Sequence, residues 1–173
     1  RRFEQIYDDE FKILDDHFAN IENINMTLQT LSKMDYKNAV ILYAIRGNRG
    51  VTVNGENAET FLKWKDKLKL KSLLVTKSTE IVEDHDFVHP DEEAIFKEKM
   101  DGVQEYTLYD ELGEALDSAL DQVEEGDVLL LAGCQGMDYG GKLILDRIAE
   151  RYPKKDKKEL YKPLENRIAG MDK

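Results

Sequence analysis

The stretch Asp127-Val128-Leu129-Leu130-Leu131-Ala132, running into Gly133-Cys134-Gln135-Gly136, decides the fold. Its apolar run leaves no polar face, the pattern of a strand covered on both sides in a parallel sheet. Helical spacing follows at Leu143, Ile144, Ile148 and Ala149. Upstream, Ala39-Val40-Ile41-Leu42-Tyr43-Ala44-Ile45 and Ser72-Leu73-Leu74-Val75-Thr76 look alike, each followed by apolar residues at helical spacing: Ala58, Phe61, Leu62, Trp64 and Leu68 after the first, Ala94 to Met100 after the second. Tyr106 and Leu108 suggest another short strand. Leu112, Ala115, Leu116, Ala119, Leu120 and Val123 make one helical face.

The chain opens with Phe3 to Tyr7 and Phe11 to Asp15 as two strands around Asp8-Asp9-Glu10, a hairpin signature. Asn20 is a good N-cap for a helix carrying Ile21, Ile24, Leu28 and Leu31. Parallel neighbours need crossovers, so repeated strand–helix units predict an α/β domain. The expectation is a Rossmann-like, doubly wound, mostly parallel sheet with an antiparallel N-terminal hairpin and helices on both faces, spanning 1–152. Residues 153–173 form a Lys-rich tail in which Leu160, Tyr161, Leu164 and Ile168 could dock as a helix starting at Pro163.

Composition sets the outer limits. The 173 residues include 25 Lys and Arg against 36 Asp and Glu, a formal charge of −11. That balance argues against a sequence-independent nucleic-acid binder, which needs a basic face. No apolar run approaches the ~20 residues of a membrane span, and no signal peptide opens the chain. The single Cys134 excludes an internal disulfide framework and fits a reducing, cytoplasmic setting. The start at Arg1-Arg2-Phe3-Glu4, without Met and inside a strand pattern, reads as a piece of a longer chain.

In open parallel sheets, ligands collect beyond the carboxyl ends of the strands. Those ends carry Asp15-Asp16-His17, Arg46-Gly47-Asn48-Arg49-Gly50, Thr76-Lys77-Ser78-Thr79 and the glycine-rich run from Gly133 to Gly141. Together they suit a polyanionic or zwitterionic ligand. Asp15 and Asp16 either end a strand and cap a helix, or accept hydrogen bonds from a ligand's hydroxyls. Arg46 and Arg49 form either a solvated turn or a fork-shaped carboxylate or phosphate site. Lys77 is an anion contact or ordinary surface. Cys134, lacking a nearby His, reads as a structural thiol. The glycine loop lacks the Gly-Lys-Ser/Thr ending of a P-loop and does not spell a dinucleotide fingerprint.

The order of segments resembles the C-terminal domain of the Mur ligases and folylpolyglutamate synthetases. Arg2-Phe3-Glu4 matches the family's Gly-Arg-x-Glu strand. Leu14-Asp15-Asp16-His17-Phe18-Ala19-Asn20 resembles its Asp-Tyr-Ala-His-Asn-Pro segment, without the Pro and with the Asp ambiguous by one position. Asp127 to Gly136 is similar to its last strand, with Cys134-Gln135 in place of a lysine, and Thr76 falls at a Thr-Ser-Asp strand end. The Asp-Asn-Pro-Arg run of the tripeptide ligases is absent after Thr76.

The resemblance implies an ATP- and Mg2+-dependent ligase. In such enzymes a substrate carboxylate becomes an acyl phosphate and an amine attacks it. Cell-wall precursors, folate and amino-acid polymers are the substrate classes it brings. The phosphate loop and most magnesium ligands belong to a central ATPase domain, so this piece alone is expected to be inactive and to hold no catalytic residue or metal. By the same carry-over Arg2 and Asp15 or Asp16 contact ATP. Arg46, Asn48, Arg49, Thr76, Lys77, Gly133, Gln135 and Gly136 face the incoming amino acid or amine, opposite a carboxylate acceptor. The other class of function is a non-catalytic α/β module that binds a small anion or uses the acidic stretch Glu80 to Glu93 as a protein-docking surface.

Overall fold

The computed structural model describes residues 2–167 together with Gly170 and Met171. Six strands, β1 (Glu4–Asp8), β2 (Lys12–His17), β3 (Ala39–Ala44), β4 (Leu70–Thr76), β5 (Thr107–Tyr109) and β6 (Val128–Gly133), form one sheet in the order β1-β2-β6-β3-β4-β5. All neighbours are parallel except β1 and β2. The two most apolar strands, β3 and β6, lie side by side at the centre and are buried at every position. That is where a strand without a polar face has to go.

Two apolar cores flank the sheet. One packs α1 (Ile21–Leu31), α2 (Gly50–Leu62) and α3 (Pro90–Met100) against Leu14, Ile41, Tyr43, Val75 and Leu130. The other packs α4 (Leu112–Gln122), α5 (Gly140–Arg151) and the tail's α6 (Lys157–Tyr161) against Ile13, Val40, Leu42, Leu74 and Leu129. The alternation of β2 therefore sends its last carboxylates to opposite faces, Asp15 towards α5 and Asp16 towards α1. Asn20 caps α1 as its sequence position suggests, its side chain accepting from the Asn23 N–H at 3.0 Å.

Three elements differ from the sequence expectation. Helix α2 begins at Gly50, eight residues before Ala58, although Gly50-Val51-Thr52-Val53-Asn54 holds poor helix formers. α3 begins at Pro90, with Pro in the first turn, where it loses no hydrogen bond. The tail helix starts at Lys157, capped by Asp156, and Pro163 sits in a following 3-10 turn. Leu160 and Leu164 enter the core; Ile168 lies outside the described residues. Among the described residues no helix is long and apolar enough to cross a membrane.

Candidate functional site

Because β2, β6, β3 and β4 are parallel neighbours, their carboxyl ends share one edge of the sheet. The register places His17 opposite Gly133 and Ala44 opposite Thr76. The segments at Asp15, Arg46, Thr76 and Gly133 thus form one rim. A wide groove of about 1150 Å3 lies at the other end, lined by the start of β4 and by 101–108.

At the β2 end of the rim, Asp16 is buried, and its Oδ1 accepts from the Phe3 N–H at 2.7 Å while Oδ2 accepts from the Thr27 hydroxyl. These bonds bring Arg2 and Phe3 over α1. A cleft of about 200 Å3 opens there, lined by Arg2, Phe3, Asp16, His17, Asn23, Met26, Thr27 and Thr30. Arg2 is exposed at its edge. Asp15 is not in this cleft. It is fully buried on the other face, where Arg167 Nη1 meets its Oδ2 at 2.6 Å.

The loop after β3 is tied down from within the chain. The Glu92 carboxylate accepts from the backbone N–H groups of Asn48 (2.9 Å), Arg49 (2.6 Å) and Gly50 (2.6 Å), the exposed donors at the start of α2. It also accepts from the His89 N–H at 2.9 Å. Burial pushes this carboxyl upward, but the four backbone donors prevail and hold it below the ordinary glutamate value. Arg49 Nη2 pairs with Asp86 at 3.1 Å, and Asn48 Nδ2 donates to the His85 carbonyl at 2.9 Å. Gly47 lets this segment approach, since a Cβ there would lie 2.0 Å from the Asp86 carbonyl oxygen.

Arg46 differs. Its Nη1 donates to the Ala19 carbonyl at 2.8 Å, and its buried Nε has no hydrogen-bond partner among the described residues. No carboxylate pairs with it among those residues.

Thr76 is fully buried, its Oγ1 accepting from the Ser78 N–H at 2.9 Å. Lys77 pairs with Asp110 at 2.8 Å and Glu93 at 2.9 Å, and these two partners hold its ammonium above the ordinary lysine range. After β6, Gly133 sits so close to its neighbours that a Cβ would lie 2.8 Å from the Ala44 Cβ. Gly136 accepts from the Ser78 hydroxyl at 2.6 Å. Gln135 is half-buried and opens a 3-10 turn, and Cys134 is buried. Within the acidic stretch Glu80 to Glu93, Asp86, Glu92 and Glu93 turn back onto the rim's cations and N–H groups, while Glu80, Glu83, Asp84 and Asp91 are exposed. Sequence reading missed Glu92, Asp86 and Arg167, whose partners are far away along the chain.

The family model for the glutamate ligase domain of Mur ligases matches residues 1–135. The chain belongs to this family. Its members are ATP-dependent ligases. Among solved structures, this Mur ligase domain is similar to the MurC UDP-N-acetylmuramate-alanine ligase of Thermotoga maritima, with a TM-score of 0.59 and 20% identity over 87% of this chain and 30% of that one. It is also similar to E. coli FolC in complex with ADP, with a TM-score of 0.61 and 12% identity over 88% of this chain and 32% of that one. A third is a UDP-N-acetylmuramoyl-L-alanyl-D-glutamate–2,6-diaminopimelate ligase, with a TM-score of 0.61 and 19% identity over 80% of this chain and 27% of that one. The chain spans about a third or less of these proteins, and at such identities the likeness shows the fold alone. No curated protein sequence matches the chain.

Among the described residues of the Mur ligase domain, no three His, Cys, Asp or Glu side chains group to hold a metal ion. No step is assigned to Mg2+ on these residues. The Arg2–Asp16 cleft carries two polar groups that a ligand can meet. It offers an exposed guanidinium to an anion and, in Asp16, carboxylate oxygens with lone pairs beyond the two bonds they already accept.

Proposed function

We propose that this chain is the amino-acid-binding and nucleotide-closing domain of an ATP-dependent carboxylate–amine ligase of the cell-wall precursor or polyglutamate/folate class. The observation that carries the reading is the family match over residues 1–135, which includes the rim residues up to Gln135. ATP, when bound, supplies a phosphoryl group to a carboxylate oxygen, so that phosphate later leaves as the amine nitrogen bonds to the carbonyl carbon.

The chain's own residues bind and enclose. Arg2 and Asp16 take the nucleotide side, Arg2 by charge and Asp16 by accepting hydrogen bonds. Asp15 contributes only by holding the hairpin, since its carboxylate is committed to Arg167. Arg46, the rim cation with unused donors, takes the carboxylate of the incoming amino acid. Asn48, Arg49, Lys77 and Thr76 shape the wall around it, and the close packing at Gly133, Gln135 and Gly136 sets its floor. Closing this rim over the reacting groups excludes water that would hydrolyse an acyl phosphate.

The test is steady-state kinetics of the complete ligase chain. Asp16→Ala and Arg2→Ala are expected to raise KM for ATP, and Arg46→Ala to raise KM for the amino acid. Unchanged constants would remove these residues from the site.

A further inference from the structure

Glu4 and Asp15 stand directly opposite each other in the antiparallel β1–β2 register. Directly opposed side chains have Cβ atoms about 4.5–5.5 Å apart, and like charges placed so repel. Here one guanidinium answers both. Arg167 Nη1 lies 2.6 Å from Asp15 Oδ2, its Nε donates to Glu4 Oε2 at 3.1 Å, and its Nη2 pairs with the same oxygen. The Arg167 side chain is only 9% exposed.

The seat is shaped for it. A Cβ on Gly141, at the start of α5, would lie 2.5 Å from Arg167 Nη1 and 2.9 Å from Asp15 Oδ2. Arg167 belongs to the tail, beyond the residues the family model matches. The tail is anchored by Leu160 and Leu164 in the core and runs back to β1.

The hairpin needs such support. β1 is an edge strand with one neighbour, and its register shifts between Gln5 and Tyr7. Immediately before it, Phe3 adopts φ 50° and donates its N–H to Asp16, and Arg2 and Phe3 wall the 200 Å3 cleft. Repulsion at the Glu4–Asp15 step acts on the end of the hairpin that carries those two residues.

We propose that Arg167 is a positioning residue: by bridging the opposed Glu4 and Asp15 it holds the opening hairpin in place, and with it Arg2 and Phe3 against Asp16 at the mouth of the cleft. Its consequence for nucleotide binding rests on the function proposed above; its effect on the hairpin does not.

Amide hydrogen exchange of the 173-residue chain tests the effect on the hairpin. Arg167→Ala is expected to speed exchange in Glu4–Asp8 by about tenfold relative to Leu70–Thr76, a local opening rather than a global one. Adding Glu4→Gln removes the repulsion and is expected to restore exchange to within about threefold of wild type. No acceleration in Arg167→Ala overturns the proposal. So does acceleration that Glu4→Gln leaves unrelieved, because the tail would then act by packing alone. If Arg167→Ala does not fold, Gly141→Ala, which unseats the guanidinium while keeping every charge, is read by the same criteria.

In the complete ligase chain, Arg167→Ala is expected to raise KM for ATP about tenfold with kcat within about threefold. A wild-type enzyme with ATP turnover whose KM is unmoved by Arg167→Ala sinks the link to the nucleotide. A wild-type chain with no amino-acid-dependent ATP turnover sinks the proposed function instead, and the exchange experiment still decides the role of Arg167.

Discussion

The Ser78 hydroxyl donates to the Gly136 carbonyl across 2.6 Å, tying the end of β4 to the turn after β6 with β3 lying between them. Both residues are buried, and Ser78 reaches this position with φ 54°, a backbone conformation unusual for a residue with a side chain. The rim is therefore a cross-braced structure as well as a row of loop ends.

Removing that brace should be costly in a specific way. Ser78→Ala leaves the buried Gly136 carbonyl without this donor and is expected to lower stability by about 1–3 kcal/mol, read from the urea midpoint at unchanged m. A loss below a few tenths of a kcal/mol would mean that Gly136 has an equivalent partner.

Glu92 supplies a second brace with a pH signature. Its carboxyl sits below the ordinary value of 4.5 because backbone donors favour the charged form over the opposing effect of burial. A depressed folded-state value gives stability that is present above the unfolded-state value and lost as pH falls through the folded one. The stability difference between wild type and Glu92→Gln should thus be largest near neutral pH and shrink below about pH 4.5. Parallel pH–stability curves for the two proteins would contradict the assignment. Glu92→Ala, which strips three N–H groups at the start of α2 of a charged acceptor, is expected to cost about 3 kcal/mol.

Much of the fold was legible in the sequence, and the reasons are local. The apolar runs of β3 and β6 have no polar face, so they can only be central and parallel. Asn20 declares the start of α1 with the side chain that caps it. The start of α2 was not legible, because Gly50 to Asn54 is a poor helical sequence and the acceptor for its first N–H groups, Glu92, lies more than 40 residues away.

The candidate site divides the same way. Parity along β2 places Asp15 and Asp16 on opposite faces, yet only the packing of α1 and of Arg167 shows which one borders a cleft. In the sequence Arg49 reads as a solvated turn or an anion site and Lys77 as an anion contact or ordinary surface; in the fold their carboxylate partners, Asp86, Glu93 and Asp110, come from other segments.

That difference among the rim cations predicts a split in kinetics. In the complete ligase chain, Arg46→Ala is expected to raise KM for the amino acid about tenfold or more, the loss of a charge-assisted contact. Lys77→Met, whose ammonium already faces two carboxylates at 20% exposure, should change the same constant by less than about threefold. The reverse order would move the substrate carboxylate from Arg46 to Lys77.

Gly133 offers a packing test at the rim's floor. With the Ala44 Cβ 2.8 Å and the Met137 Cβ 2.9 Å from where a methyl would stand, Gly133→Ala forces β6 and its turn apart. The expected cost is about 1–3 kcal/mol by overpacking, measured by thermal or urea unfolding. A neutral outcome would show that the turn after β6 can move without penalty.

The proposed function requires this rim to close over a nucleotide and an amine in an ATP-dependent ligase. It is tested most directly by phosphate release from the complete ligase chain with ATP, magnesium and each of the common amino acids, using a protein-free cell extract as the source of the carboxylate acceptor. Release that a particular amino acid stimulates is expected in the wild-type enzyme, with a KM for ATP about tenfold higher in Asp16→Ala and Arg2→Ala. Phosphate release indifferent to every amino acid, or variants with the wild-type KM for ATP, would contradict it.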